Sequence, residues 1–285
     1  MSYKFEEVLK KGTQRIKEDI NEYKNFLKVM GNNYKYDDTN QINIYVLEPN
    51  AKACAEYEFW KNNFNRVVRK GQKGIPIYSN DDRKVKYIYD VAQTISINKE
   101  EKELKLWTFD KNEYKDIYEK IENNTLLNKY IGNIEIINYN ISKNDIREFY
   151  LKSSKIAIYN RMGIENNIDF NEKDRFILNS LKNDRDFYNT INQISSITRN
   201  CLKEINKEIK IKKERTMNFE NLQKDLFERK LNLGEYFAKT FELLKIFLKE
   251  NKLWFILLTI GNTWLLFSNI LIQHIGISLK IAEST

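Results

Sequence analysis

Residues 60–94, WKNNFNRVVRKGQKGIPIYSNDDRKVKYIYDVAQT, decide how the chain is read. Val67 and Val68 lead into Arg69-Lys70-Gly71-Gln72-Lys73-Gly74, and Ile75-Pro76-Ile77-Tyr78 follows. Two β-rich pieces around a twin-glycine turn predict a hairpin, with Pro76 at a sheet edge or a strand start because it has no N–H to give to a ladder. The segments KYIYDV at 86–91 and LKLWTF at 104–109 alternate like further strands. Lys61, Arg66, Arg69, Lys70 and Lys73 place five positive charges in the stretch, and no acid falls among residues 61–80.

On either side the pattern is helical. Phe5, Val8, Leu9, Ile16, Ile20, Tyr23, Phe26, Leu27 and Met30 recur at spacings of three and four, which predicts a helix interrupted at Gly12. Residues 31–39 read as a loop. Short helices are expected over 40–47, ended by Pro49, and around 56–65, carrying Trp60 and Phe64. From about Asn144 the chain turns helical again. Phe187, Ile191, Ile194, Ile197 or Thr198, Cys201, Ile205 and Ile209 form one apolar stripe, suited to packing within its own domain or to a coiled-coil seam. The expected fold class is α+β: N-terminal helices with a small antiparallel sheet, then an all-α region, then a hydrophobic C-terminal helix. The expected divisions are 1–143, 144–250 and 251–285.

The tail differs in kind. Between Lys252 and Lys280 lie 27 residues without formal charge if His274 is neutral, and 17 of them are apolar. That length suffices to cross a hydrocarbon core of roughly 30 Å as a helix. Thr259, Gly261, Asn262, Thr263, Ser268, Asn269, Gln273 and His274 are a heavy polar load for lipid. A membrane span over 253–279, a buried or partner-bound helix, and an aberrant tail on a truncated protein stay open as readings.

With 285 residues, 41% of them hydrophobic, and 33 Tyr and Phe side chains, the chain is too rich in large apolar groups for disorder. Its one histidine, His274, excludes HExxH peptidases, two-histidine relaxases and HNH nucleases, because ligand and base cannot share one ring. No GxxxxGK[ST] cradle and no GxGxxG fingerprint occurs. Asp90 followed by Glu103-Leu104-Lys105 loosely matches the D…(D/E)xK pattern of Mg²⁺ nucleases, but that pattern is very permissive. The acid pairs Asp37-Asp38 and Asp81-Asp82 read as loop tips. Cys54 and Cys201 form no CxxC and are expected to be reduced, buried thiols. No catalytic residue, metal site or cofactor is expected. MSYKFEEVLKKG lacks the apolar core of a secretory signal, so a cytoplasmic location is expected.

The net charge of +8 suits an anionic partner such as nucleic acid or an acidic membrane surface. Five cations on a hairpin and its preceding helix can track a phosphate backbone, and two glycines let the turn's amides approach phosphate oxygens. Trp60, Tyr78, Tyr34 and Tyr36 offer stacking faces for unpaired bases. The competing reading is an ordinary solvated Lys-Gly turn with Trp60 in the core. Neutralising about five phosphates would give a salt slope of roughly −3 to −4 on single strands.

The run 60–94 resembles the N-terminal domain of ArdC-type antirestriction proteins: a tryptophan, a basic V-R-K-G-x-K-G-I-x-I turn and a later V-x-Q-T. Upstream, NYKYDDTNQINIYVLEPNAKACAEYEFW is similar to the N-terminal region of large DNA methylase and helicase proteins carried by conjugative elements. The resemblance covers about residues 20–110 and continues more weakly toward Arg215. It implies an α+β module that binds DNA, single-stranded DNA above all, during transfer of a mobile element, with an antirestriction role. Family positions match at Asn40, Gln41, Trp60, Arg69, Lys70, Gly71, Lys73, Gly74, Gln93 and Thr94. On that reading Arg66, Arg69, Lys70 and Lys73 engage phosphates at the Gly71 and Gly74 turn. Trp60 and Tyr78 stack bases or support the turn, and Asn40, Gln41 and Gln93 supply polar contacts or brace those that do. The family's metallopeptidase-like domain with HExxH is missing, so its metal chemistry does not transfer. Two rival readings are a membrane-anchored accessory protein of a conjugation apparatus, on the inner face of the membrane, and an inhibitor that binds a host restriction or defence enzyme.

Overall fold

A computed structural model of the chain describes residues 3–79, 84–98, 104, 106–132, 141–181, 183–227 and 233–250. Two helices, α1 (Tyr3–Glu18) and α2 (Ile20–Asn32), open the fold. The break between them falls at Asp19, not at Gly12. Asp19 is extended and its carboxylate accepts from the Asn21 amide, so it caps α2. Gly12 lies inside α1, where a Cβ would stand 2.2 Å from Val46 of the third helix. The glycine that reads as a helix breaker is a point of close packing.

Helix α3 (Asp38–Leu47) starts on the Asp37 side chain, which accepts from the Asn40 amide. Strand β1 (Cys54–Glu56), helix α4 (Tyr57–Phe64), and strands β2 (Arg66–Val68), β3 (Ile75–Ser79) and β4 (Lys84–Asp90) follow. A 3₁₀ turn over Val91–Gln93 then leads into β5 (Thr94–Ser96). The remainder is helical: α5 (Lys115–Glu122), α6 (Thr125–Asn128), α7 (Lys143–Met162), α8 (Glu172–Ser180), α9 (Asp184–Phe227) and α10 (Leu233–Glu250). The α+β class therefore holds, with mostly helical content beside small antiparallel sheets.

The expected pairing of Val67-Val68 with Ile75-Tyr78 does not form. Strand β2 pairs antiparallel with β5, Val67 opposite Ile95, while β3 pairs with β4, Ile75 opposite Ile88. A three-stranded sheet in the order β1-β4-β3 and a two-stranded sheet β2-β5 result, with residues 69–74 crossing from one to the other. Pro76 supplies the physical reason. Its carbonyl points away from β4 and accepts from the Asn43 side chain of α3. The outer edge of β3 therefore lacks a donor where β2 would need one. The segment 104–109 also departs from expectation: its described residues are not strand. The Phe109 amide donates instead to the Met162 carbonyl at the end of α7, 3.0 Å away.

Residues 1–209 form one compact unit. There α2 lies along α7 so closely that a Cβ on Gly31 would come 2.0 Å from the Ala157 carbonyl oxygen. Tyr23 stacks on Phe149 with ring centroids 5.5 Å apart, and its hydroxyl meets the Ser153 hydroxyl at 2.9 Å. The α9 stripe of Phe187, Ile191, Ile194, Ile197, Cys201, Ile205 and Ile209 is buried in this same core, which favours packing within the domain over a coiled-coil seam. Each such side chain contributes about 1.5–3 kcal/mol by leaving water. Residues 210–285 form a second unit. Among the described residues no helix is long and apolar enough to cross a membrane. Residues 251–285, with the uncharged tail, lie outside the described set.

Candidate nucleic-acid interface

The crossover 69–74 is anchored at its base and open at its tip. The Arg69 amide donates to the Gln93 carbonyl at 2.9 Å, and the Gln72 amide turns back to the Arg69 carbonyl at 3.2 Å. Gly71 sits at φ +87° with nothing within 4 Å of a hypothetical Cβ. Glycine is needed there for its backbone angle rather than for space. Asp90 and Gln93 form a capping box on the 3₁₀ turn. The Asp90 carboxylate accepts from the amides of Lys52, Ala53 and Ala92 at 2.7–2.9 Å. Gln93 accepts from the Asp90 amide and donates to the Lys73 carbonyl at 3.0 Å, tying the crossover to the turn.

From this base Arg69, Lys70, Gly71, Gln72 and Lys73 face solvent. No carboxylate of the described residues forms an ion pair with Arg66, Arg69, Lys70 or Lys73. The two arginines are partly engaged internally. Arg66 is half-buried and donates through Nε and Nη2 to the Thr94 hydroxyl and carbonyl, at 2.8 and 3.1 Å. Arg69 donates through Nη2 to the Ala92 carbonyl. The cations of the crossover free to meet an anion are therefore Lys70, Lys73 and the remaining donors of Arg69, and Lys61 on α4 is exposed beside them in sequence.

The rest of the expected site has a different character. Asn40 is buried; its Nδ2 donates to the Tyr78 carbonyl and its Oδ1 accepts from the Tyr78 amide, both at 2.8 Å. Gln41 is buried, donates to the Tyr36 carbonyl at 2.9 Å and accepts from the Ser195 hydroxyl at 3.0 Å. Gln93 is buried as described. The polar contacts expected of these three amides are made to the protein itself. Trp60 is 2% exposed, and its indole N–H donates to the Tyr89 carbonyl at 2.9 Å. It packs with Phe64 at 5.6 Å between centroids, in the core-like setting weighed against base stacking.

Two aromatic residues that the reading of the chain passed over lie beside the crossover. Ile75, Ile77 and Ile88 are buried, so the alternate positions Tyr78, Tyr87 and Tyr89 belong to the opposite face of the three-stranded sheet. Tyr87 is 58% exposed. A Cβ on Gly74 would stand 3.0–3.1 Å from the side chains of Tyr87 and Tyr89, so the crossover runs close against both rings. The period-two alternation of KYIYDV contains this signal. The basic crossover and a tyrosine face are thereby adjacent.

Of the permissive nuclease pattern, the Asp90 carboxylate is occupied by main-chain amides, and Glu103 and Lys105 lie outside the described residues, as do Asp81 and Asp82. Asp37, part of the other acid pair, is the cap of α3, and burial raises its pKa. Cys54 and Cys201 are free thiols. Burial pushes both upward, Cys201 to about 12, so neither is a ready thiolate at neutral pH. No family model, curated protein or solved structure matches the chain.

Proposed function

We propose that the chain is a non-enzymatic DNA-binding protein of a mobile genetic element, acting on single strands and serving an antirestriction role. The observation that carries this reading is the solvent-facing crossover of Arg69, Lys70 and Lys73, which no described carboxylate neutralises. Phosphates would meet these three side chains and the open amides around Gly71. Bases would stack on Tyr87, with Tyr78 and Tyr89 alongside, each stacked base adding on the order of 1–3 kcal/mol. Trp60, Asn40, Gln41, Arg66 and Gln93 would hold the frame rather than touch DNA. The family resemblance over about residues 20–110 adds the mobile-element context.

Counting only the three cations of the crossover, Arg69, Lys70 and Lys73, narrows the salt dependence expected of it. Three neutralised phosphates give a slope of log K on log salt near −2 on single strands. Fluorescence anisotropy with labelled oligothymidylate over a salt series tests this. The triple variant Arg69→Ala, Lys70→Ala, Lys73→Ala is expected to weaken binding on every sequence and to flatten the slope. Unchanged affinity in that variant refutes the assignment.

A further inference from the structure

An open cleft of about 840 Å³ lies between the C-terminal end of α2, strand β1, helix α4 and the segment around Trp107. Its size falls in the ~300–1,000 Å³ range of small-ligand sites. The walls are aromatic: Tyr36, Phe59, Phe64 and Trp107 line it, and Phe59 and Phe64 are 46% and 38% exposed. Two cations share the cleft, Lys35 and Arg161. The Arg161 guanidinium lies 5.5 Å from the Trp107 ring centroid. It makes no hydrogen bond or ion pair with any described residue, and burial lowers its pKa. Among the described residues lining the cleft Glu56 is the one acid, and it is not paired with Arg161.

A half-buried guanidinium has five N–H donors, and leaving them without acceptors is costly. An anion entering the cleft would recover that cost, and Lys35 adds a second positive charge. The aromatic walls add a preference for a flat, π-faced group close to the anion. An extended peptide adding to β1 is disfavoured. The outward main-chain groups of Cys54 are already taken, its amide by the Asn33 side chain at 3.0 Å and its carbonyl by the Tyr36 hydroxyl at 2.9 Å.

We infer that this cleft binds one nucleotide unit, the phosphate on Arg161 and Lys35 and the base against Phe59, Phe64 and Trp107. The unit is either a free mononucleotide or one nucleotide of a single strand. In the second case the inference deepens the DNA-binding reading, by giving it a pocket distinct from the basic crossover.

The test titrates the full chain with thymidine 5′-monophosphate and, separately, with labelled oligothymidylate, reading tryptophan fluorescence and anisotropy. Arg161→Met keeps the side-chain stem, and Lys35→Ala alters an exposed residue. Each is expected to weaken mononucleotide binding about tenfold or more, as befits loss of a charge-assisted phosphate contact. Trp107→Phe is expected to remove most of the fluorescence change. Thermal melting of Arg161→Met at the wild-type temperature certifies its fold; if it melts early, Lys35→Ala decides alone. Equal mononucleotide affinity in wild type and the deciding variant overturns the inference, as does absence of binding at millimolar nucleotide. Tight binding of an unrelated peptide with none of the nucleotide overturns it too. The two readings separate cleanly. If the crossover triple variant loses oligonucleotide while Arg161→Met and Lys35→Ala bind both ligands normally, the cleft assignment falls and the DNA reading stands. If the mononucleotide binds through Arg161 and no oligonucleotide does, the reverse holds.

Discussion

Replacing Asn40 with Ala tests whether this amide contacts a ligand or holds the sheet. β3 is an edge strand, and helix α3 covers its free edge with two amides one turn apart. Asn40 matches a complete main-chain pair, donating to the Tyr78 carbonyl and accepting from its amide at 2.8 Å each. Asn43 faces Pro76, which has a carbonyl but no N–H. Its Nδ2 is satisfied, and its Oδ1 is buried without a partner. Both residues are buried, at 4% and 0% exposure, so truncation to Ala removes the same volume from the same helix and the cavity terms nearly cancel. Asn40→Ala loses two hydrogen bonds of about 1 kcal/mol each and strands two groups on β3, for a total of about 2–4 kcal/mol. Asn43→Ala loses one bond and strands one group, the Pro76 carbonyl, but also removes an unsatisfied oxygen, so about 1 kcal/mol is expected. Urea unfolding followed by far-UV circular dichroism measures the difference, and native-state hydrogen exchange at the Tyr78 amide locates it. Equal losses in the two variants, or unaltered protection of Tyr78 in Asn40→Ala, would refute the clamp.

Two further outcomes follow from the packing. Gly31→Ala should be strongly destabilising, by several kcal/mol on the scale of overpacked cores (about 1–3 or more), because its Cβ would meet the Ala157 main chain rather than a movable side chain; thermal melting checks this. Glu22 accepts from Arg15 and, at 2.7 Å, from the Tyr45 hydroxyl, and the Arg15 hydrogen bond leads the causes that hold its pKa below the ordinary glutamate value. A depressed folded-state pKa stabilises the fold above the unfolded-state value, and that stability is lost as pH falls through the folded-state value. Glu22→Gln should therefore lower stability at neutral pH and make it less dependent on pH through the acid range, as read from melts between about pH 3 and 7; an unchanged acid limb would count against it.

Much of the molecule was legible along the chain because helices and strands write local periods. The α9 stripe, the α3 and α4 helices, the alternation in β4 and the cationic run at 69–73 all came from neighbours in sequence, though that run was read as a hairpin turn. Which strand pairs with which did not. Val67 meets Ile95 rather than Ile75, a choice that depends on Pro76 having no donor for an outer partner and on α3 covering that edge. Which of the alternatives open for Asn40, Gln41, Gln93 and Trp60 holds, contact or bracing, stacking or core, was not decided there either. An amide that grips DNA and one that grips a main chain 38 positions away are spelled alike. The Arg161 and Trp107 pairing joins segments 54 residues apart that show no shared motif. Local pattern determined the elements and their apolar faces, since those follow from backbone geometry and water's exclusion of apolar groups. The tertiary structure alone decided which polar groups are spent inside the protein and which are left for a partner, because that depends on what each one meets across space.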